Sequence, residues 1–539
     1  MILLGRFHKI INFQSRPHRW SCVSSEITFF SSQIYLTNQC KHFHQSFISN
    51  AKSNLSSNSN HSQNTKRLAI IGGGAAGLMS AIFAQTQALQ TLQRSKNNLK
   101  TIPQEIEIYV LERKPQCGRK ILMSGGTRCN LLPHESKWPK ILKNNLNHAN
   151  SNFGNADLEL KYFTTSPELL IEILKTWPIE KQKEFFEKNL KIALELEEET
   201  GKYFPESNDA KQVLTSLLQF IQDRNTEQVK VKIMTDCNVN GLEKDEFGNW
   251  KISFLNDQEI NKSSQYPSQY LNCHSVILSS GGLSVINSDG YGIQLLEQLG
   301  HEIIPLYPAL NPLIYNPEMK HILKELSGVT LPNVTVSVYL KKEHEQVLLY
   351  QSLEPKGFLF THTGYSGPAI LNASHATISG LLCQETLKSI PNPQSSVEDD
   401  IRSHSSYAKI EKSIIEKLIY KVHTQHDAVS LHVHWTPQIS AQDWDKKFTL
   451  AKQQNSKLLL KNFIHKNSEP NFLPIRLVQL ITDSVNLSDV PVSQLSLSQK
   501  RQIISQLTSF ELPYQTNMSF KKAEVTGGGC DWIKFPRVP

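Results

Sequence analysis

An apolar run, a glycine cluster and a segment rich in small apolar residues follow one another just after residue 67. Leu68–Ile71 is a run of four apolar residues, which is enough for a short buried strand. The glycines predict a tight turn, and the alanines after them predict a helix that packs closely on that strand. A second run, Ile106–Glu112, predicts another strand of the same sheet. This order of strand, turn, helix and strand predicts an α/β fold of the Rossmann type.

The same kinds of pattern predict further helices and strands along the chain. Leu, Ile and Phe at helical spacing indicate helices, whereas short or alternating apolar runs bounded by turn residues indicate strands. The predicted helices are Leu169–Lys175, Glu180–Leu194, Ile410–Val422, Asp443–Phe463 and Leu497–Leu507. The predicted strands are Val229–Ile233, Cys237–Leu242, Trp250–Phe254, Val276–Leu278, Val329–Leu340 and Gln346–Leu353.

The glycine cluster fits the spacing G-x-G-x-x-G through Gly72, Gly74 and Gly77. In a dinucleotide site the first glycine permits the turn, the second lets a pyrophosphate approach the backbone, and the third lets helix and strand pack closely. Glu112, at the end of the second strand, is the expected partner of the adenosine ribose, although it follows Gly77 by 35 residues instead of about 20. A longer helix or loop at residues 85–105 would account for the excess. The alternative is a glycine-rich turn that binds nothing.

Composition and charge describe an ordinary soluble chain with an unusual leader. The 539 residues are 39% hydrophobic and 20% charged, and no apolar run is long enough to span a membrane. Of the net charge of +8, +6 lies in the first 66 residues, so the rest does not indicate a nucleic-acid surface. Residues 1–65 are rich in Ser, Asn and His, poor in acids and without a secretory apolar core. They predict an organellar transit peptide and linker, with a merely disordered tail as the alternative.

The 8 cysteines are scattered, without a C-x-x-C pair, a C-x₄-C pair or metal-ligand spacing. A zinc site, a disulfide scaffold and a dithiol flavin reductase are therefore not expected, and we predict no metal. Residues 113–130 instead place five bases among glycines and small residues, a combination that can surround an anion with cations and backbone donors. The alternative is a solvated basic loop.

Residues 118–130 resemble the signature G-[RK]-K-x-x-x-S-G-x-G-R-C-N of the BaiN/RdsA-type (YhiN-like) FAD-dependent oxidoreductases. Thr127 stands where that family usually carries a third glycine. The resemblance covers about Arg67 to Gly529. It continues in these segments: Glu197–Val213, Val276–Ser284, Asp289–Gly292, Leu299–His301, Pro305–Pro312 and Gly357–Ile370.

The resemblance implies FAD as the cofactor and assigns it a set of binding residues, with catalytic residues unknown. It implies reduction of an activated C=C bond in a small molecule, with NAD(P)H docking transiently because a second dinucleotide motif is absent. Cys129 is expected to be packed, not redox-active. His301 and His362 are candidates for a proton donor, with a structural role as the alternative. The assigned cofactor residues are Gly72, Gly74, Ala75, Ala76, Gly77, Glu112, Arg113, Arg119, Lys120, Ser124, Gly125, Gly126, Arg128, Cys129, Asn130, Val239, Ser280 and Gly281.

The pattern of antiparallel strands and helices after Leu306 predicts an inserted domain. We expect a transit peptide and linker at 1–65, an FAD-binding domain at 66–306, an inserted substrate domain, β-barrel-like and then helical, at 307–517, and a return at 518–539. In the family this return leads into a segment that closes over the flavin, and residues 530–539 do not match it. A truncated, flavin-less remnant with a regulatory or interaction role is therefore the alternative function. A tRNA-modifying flavoenzyme is a third, disfavoured by charge.

Overall fold

The computed structural model describes residues 3–4, 65–94, 105–136, 173–256, 269–285, 288–341, 346–352, 354–382, 429–470 and 472–530. The predicted leader, the predicted helix at 410–422 and residues 531–539 lie outside these ranges, apart from residues 3–4 and 65. The strands are β1 Leu3–Leu4, β2 Thr65–Ile71, β3 Glu105–Leu111, β4 Leu132–Pro133, β5 Leu194–Glu197, β6 Lys202–Pro205, β7 Val229–Met234, β8 Cys237–Lys244, β9 Trp250–Asn256, β10 Gln269–Cys273, β11 Ser275–Leu278, β12 Ile303–Ala309, β13 Leu313–Tyr315, β14 Thr330–Lys341, β15 Gln346–Gln351, β16 Lys356–Phe360, β17 Gly364–Ser366, β18 Val429–His434, β19 Phe510–Glu511, β20 Tyr514–Gln515 and β21 Val525–Cys530. The α-helices are α1 Ala75–Arg94, α2 Arg119–Met123, α3 Ile179–Glu184, α4 Ala210–Asp223, α5 Tyr291–Gln298, α6 Lys320–Leu323, α7 Pro368–Leu382, α8 Ala441–Gln453, α9 Leu460–Asn467, α10 Ile475–Asp483 and α11 Leu497–Thr508.

The first half of the described chain contains a five-stranded, mostly parallel sheet. Its strand order is β1-β11-β2-β3-β7, and β11, β2, β3 and β7 are parallel, while the short β1 pairs antiparallel with β11. From β2 the chain moves outward to β3 and β7, and then returns to the other side of β2 as β11. The direction therefore reverses between β2 and β11, and a crevice outside the carboxyl ends of these strands is the usual ligand site in such sheets.

The apolar run of β2 is buried on both faces, which is why it is continuous. Leu68 and Ile70 pack with Leu78 of α1 in one core cluster. Ala69 and Ile71 belong to a second cluster on the opposite face, formed with the antiparallel sheet β10-β9-β8. A strand covered on both faces loses the polar alternation of a surface strand. This arrangement fixes the carboxyl end of β2, where the glycine turn begins.

Two antiparallel sheets follow the parallel one. β12 pairs with β21, so the last described strand returns to the first half of the chain. Between them lies a larger sheet with the order β19-β18-β14-β16-β17-β13-β20, with β15 paired on β14. Its core contains the fully buried aromatic residues Trp435, Tyr365, Phe358 and Phe360 together with residues of α8 to α11. The boundary expected at residue 307 falls inside β12.

Two of the predicted helices are wrong in extent. The helix expected at Glu180–Leu194 ends earlier: α3 is followed by a π-helical turn at Phe185–Asn189, Lys191 adopts a left-handed φ of 58°, and Leu194 begins β5. The helix expected at Asp443–Phe463 is two helices, α8 and α9, because Asn455 adopts a φ of 48° between them. A left-handed residue ends an α-helix whatever the apolar periodicity beyond it.

Within the described residues, no helix combines the length and the apolar character that crossing a bilayer requires. The same part of the chain contains no cluster of His, Cys, Asp and Glu suited to a metal ion.

Candidate cofactor site

The glycine turn closes the carboxyl end of β2 against its neighbours. Gly72 has a φ of 105°, and its N–H donates to Leu111 O at 2.8 Å. A methyl group on Gly72 would lie 2.6 Å from Ser279 O, and one on Gly77 would lie 1.8 Å from Gly72 O. Neither position therefore accepts a side chain, and the start of α1 is packed directly on the turn.

Gly74 is different, because a methyl group on it would meet no atom within 4 Å. Gly74 O accepts the helical bond from Leu78 N at 3.0 Å, and α1 begins at Ala75. The first N–H groups of a helix have no partner inside the helix, and with the helix dipole they favour an anion at this end. The space beside Gly74 thus lies next to the helix end that suits a pyrophosphate.

Glu112 points towards this turn. Its Oε2 accepts a hydrogen bond from Gly73 N at 2.8 Å, and its Oε1 accepts one from Lys114 N at 2.9 Å. A carboxylate can accept about four hydrogen bonds, so two acceptor sites remain for hydroxyl groups of a ligand. Cys237 N, at the start of β8, donates to the backbone carbonyl of Glu112 at 2.9 Å, which joins the start of β8 to the residue that carries this carboxylate. Val239, assigned to the cofactor, is buried two residues further along β8.

Ser279, which the sequence did not single out, fastens the turn to β11. Its N–H donates to Ile71 O at 2.8 Å, and its Oγ lies 3.0 Å from Ile71 O and 2.9 Å from Gly72 O. The available signal was its place as the first residue of the Ser-Ser-Gly-Gly turn after a buried strand. Ser280 follows against α5, where a methyl group on Gly292 would lie 1.8 Å from Ser280 Oγ.

Three of the five bases in residues 113–130 are already paired with the protein. Arg113 forms an ion pair with Asp289 at 2.5 Å, across the sheet from β3 to the segment before α5. Lys120 Nζ donates to Ser284 Oγ at 3.0 Å and to Glu524 O at 2.6 Å. Arg128 pairs with Glu197 at 2.8 Å, with its guanidinium 4.1 Å from the ring centre of Phe204.

Arg119, at the first position of α2, has no ion-pair partner among the described residues. Gly118 N, just before it, donates to Gly73 O at 2.9 Å and so attaches this segment to the glycine turn. Of the three arginines assigned from the resemblance, Arg119 is the one whose charge remains available for a phosphate.

The loop Ser124–Cys129 has an unusual run of left-handed residues. Gly125, Gly126 and Thr127 have φ values of 56°, 67° and 72°, and Cys129 has a φ of 63°. Cys129 N donates to Ser124 O at 3.0 Å, which closes the loop before Asn130. A β-branched residue in this region is a genuine outlier, so Thr127 occupies a backbone position that suits glycine.

The thiols near the site are buried and protonated. Burial raises the pKa of Cys129 to about 11, and it raises the pKa of Cys117, whose Sγ packs against Gly73, to about 12. A thiol with a raised pKa is a poor nucleophile at neutral pH, which favours a packing role for both residues.

The two histidine candidates lie on other elements. His301 follows α5, and burial lowers the pKa of its imidazole. His362 lies in the turn between β16 and β17, where its Nδ1 is 2.9 Å from Ser327 Oγ. Gly281, assigned to the cofactor, is in the turn after β11 with a φ of 76°.

Comparison with known proteins agrees with this geometry. The family described as "HI0933-like protein Rossmann domain" matches residues 66–534. The chain belongs to this family. Membership confirms the resemblance drawn from residues 118–130. The protein is therefore an oxidoreductase with a Rossmann-type α/β fold and FAD as its cofactor. The space beside Gly74 and the orientation of Glu112 fit that cofactor.

Three curated relatives are similar to the chain. A ribosomal RNA dihydrouridine synthase of Haemophilus influenzae is 25% identical over 86% of this chain and 85% of its own length. A protein of the same name from Escherichia coli is 23% identical over 86% of this chain and 84% of its own length. A 3-dehydro-bile acid delta(4,6)-reductase of Clostridium scindens is 27% identical, but over 58% of this chain and 61% of its own length.

Proposed function

We propose that this enzyme reduces a carbon–carbon double bond conjugated to a carbonyl group, with NAD(P)H as the electron donor. The support is the chemistry shared by the relatives' names. Dihydrouridine differs from uridine by saturation of a ring C=C bond next to a carbonyl, and a bile acid with a 3-oxo group and a delta-4 bond is an enone. Bound FAD supplies hydride transfer in such reactions, while the protein positions and polarises the substrate.

The observation that carries this proposal is the FAD crevice at the reversal between β2 and β11. Its glycine turn and Glu112 lie side by side, with the buried thiols protonated. Because burial raises the pKa of both Cys129 and Cys117, the proposal assigns hydride transfer to the cofactor and the substrate directly and gives neither thiol a redox role. A transient nicotinamide donor agrees with the single dinucleotide motif of the sequence.

Two substrate classes meet this chemistry. The first is a small-molecule enone, which agrees with a chain whose charge beyond residue 66 is close to neutral. The second is a uridine within RNA. It is favoured by the two relatives that match 86% of this chain, including the inserted region, whereas the bile-acid reductase matches 58%.

Anaerobic flavin spectroscopy tests the reaction and separates the two substrates. The full chain would be loaded with FAD, reduced with NADPH or NADH, and mixed with a small cyclic enone or with unmodified ribosomal RNA. We expect rapid reoxidation by one of them, with a saturated product in stoichiometric amount. Reduced flavin that neither compound reoxidises would contradict the proposal.

We also propose that residues 1–65 direct the enzyme to an organelle. The support is the acid-poor, Ser-rich composition of that segment and its concentration of positive charge. Fusion of residues 1–66 to a fluorescent reporter should move the reporter from the cytosol into chloroplasts or mitochondria. A reporter that stays in the cytosol would remove this part of the proposal.

A further inference from the structure

The chain passes between the parallel-sheet half and the inserted sheet through two adjacent connections. The outward connection runs from β12, which ends at Ala309, to β13, which begins at Leu313. The return runs from β20, which ends at Gln515, to β21, which begins at Val525. Antiparallel pairing joins β13 to β20 and β12 to β21, but the ladder is interrupted between them.

Asn311 fills this interruption with side-chain hydrogen bonds. Its Nδ2 donates to Asn517 O at 2.6 Å and to Ser519 O at 3.1 Å, so one amide holds two carbonyl groups of the return connection. Its backbone N–H donates to Ser374 Oγ of α7 at 3.1 Å. With a residue exposure of 1%, Asn311 is shielded from water that would compete for these bonds.

The return connection continues directly to the wall of the FAD crevice. Glu524 N donates to Leu310 O at 3.3 Å, and Glu524 O accepts from Lys120 Nζ at 2.6 Å. Two residues later, Thr526 Oγ1 accepts from Ser284 N at 2.9 Å, in the loop that follows β11. The position of β21 is thus set by its pairing with β12 and, where the strand begins, by these contacts of the return connection.

The geometry points to Asn311 as a positioning residue for the FAD site. It ties the outward and return connections together, and through the return connection it sets where β21 lies against Lys120 and the loop after β11. This role uses the two N–H donors of the amide. Its Oδ1 has no hydrogen-bond partner among the described residues, although it is buried. Thr516 Oγ1, at the start of the return connection, is likewise buried without a partner among the described residues.

Substitution of Asn311 by Asp is the sharpest test, because it keeps the shape of the side chain and places a carboxyl oxygen, in place of the two N–H donors, against Asn517 O and Ser519 O. Asn467→Ala is the matched control. Asn467 also donates from its side chain to a main-chain carbonyl, Phe463 O at 2.8 Å, but it lies in α9 of the inserted region. Ser374→Ala is a milder second variant that keeps the test available if Asn311→Asp does not fold. It removes the acceptor of the Asn311 N–H and, within α7, the hydroxyl that donates to Leu371 O.

Hydrogen exchange of the FAD-free protein and FAD affinity are the two measurements, and neither depends on the proposed reaction. We expect exchange in residues 516–530 to be about tenfold faster in Asn311→Asp, and FAD binding to weaken about threefold to tenfold. Ser374→Ala should show a smaller change in the same residues, and Asn467→Ala should show none there. Unchanged exchange at 516–530 in both Asn311→Asp and Ser374→Ala, or an equal loss of FAD affinity in Asn467→Ala, would overturn the inference.

Discussion

The glycine turn at residues 72–77 and the loop Ser124–Cys129 both contain residues with a positive φ, but the residue types at those positions differ. In the turn, the residue with a left-handed φ is glycine. In the loop, Thr127 and Cys129 share that conformation with Gly125 and Gly126. A residue with a Cβ pays about 1–2 kcal/mol for it, so the loop is strained where the turn is not.

The contrast separates two ways of building a cofactor site. The turn omits side chains so that helix, strand and ligand can approach the backbone, and its constraint is steric. The loop is closed by a hydrogen bond between its ends, from Cys129 N to Ser124 O, and it carries strain at an exposed residue, Thr127. Strain of this kind persists where surrounding structure fixes the backbone, commonly at functional sites.

The largest effect is expected at Gly77. In Gly77→Ala the new methyl group would lie 1.8 Å from Gly72 O, so α1 must move away from the turn. Urea unfolding of the FAD-free protein should show a loss of about 3 kcal/mol or more. A loss below about 1 kcal/mol would mean that the helix is not packed on the turn as described.

The next largest effect is expected at Glu112. Glu112→Ala removes the acceptor beside Gly73 and should weaken FAD binding by about 1–3 kcal/mol, the value of a hydrogen bond to a charged group. Flavin fluorescence quenching measures this directly. If FAD affinity in the variant equals that of the parent, the carboxylate does not hold the ribose.

Two arginines, one beside the turn and one in the loop, sharpen the comparison between these regions. Arg119→Gln, next to the turn, should weaken FAD binding by about 1.5 kcal/mol, because a free guanidinium is lost. Arg128→Gln should change it less, since Arg128 already pairs with Glu197. The measurement is the FAD dissociation constant of each variant at one salt concentration. A larger loss of affinity in Arg128→Gln would mean that Arg128, not Arg119, contacts the phosphates.

The smallest effect is expected at Thr127, and it has the opposite sign. Thr127→Gly relieves about 1–2 kcal/mol of backbone strain and costs about 0.5–1 kcal/mol in chain entropy. A net gain in unfolding free energy of about 1 kcal/mol should follow, whereas the control Thr127→Ala, which keeps a Cβ, should gain less. A destabilised Thr127→Gly would show that the threonine side chain makes a contact worth more than the strain.

Local features of the fold could be predicted from the sequence. The run Leu68–Ile71 and the glycine spacing determined the first strand and turn, and the long spacing to Glu112 is accounted for in part by α1, which runs to Arg94. The three strands predicted between residues 229 and 254 begin at the predicted residues, and each extends one or two residues further than predicted. These elements are specified by neighbouring residues, so the pattern contains the information.

Long-range pairings could not be predicted in the same way. Arg113 and Asp289 are 176 residues apart, and Lys120 and Glu524 are 404 apart. The sequence therefore indicated that Arg113 and Lys120 are free to bind an anion, whereas in the structure they join distant segments of the chain. Helix ends set by Asn455 were missed because a single left-handed asparagine leaves little trace in an apolar pattern.

The central claim is that a pyrophosphate rests on bare backbone at the tip of β2, beside Gly74. Gly74→Ala tests it most directly, because the new methyl group meets no protein atom within 4 Å and would occupy the space assigned to the ligand. The measurement is the FAD dissociation constant of this variant, alongside its unfolding free energy without FAD. The account predicts a loss of FAD affinity of about tenfold or more with a stability change below about 1 kcal/mol. FAD binding as tight as in the parent protein would contradict it.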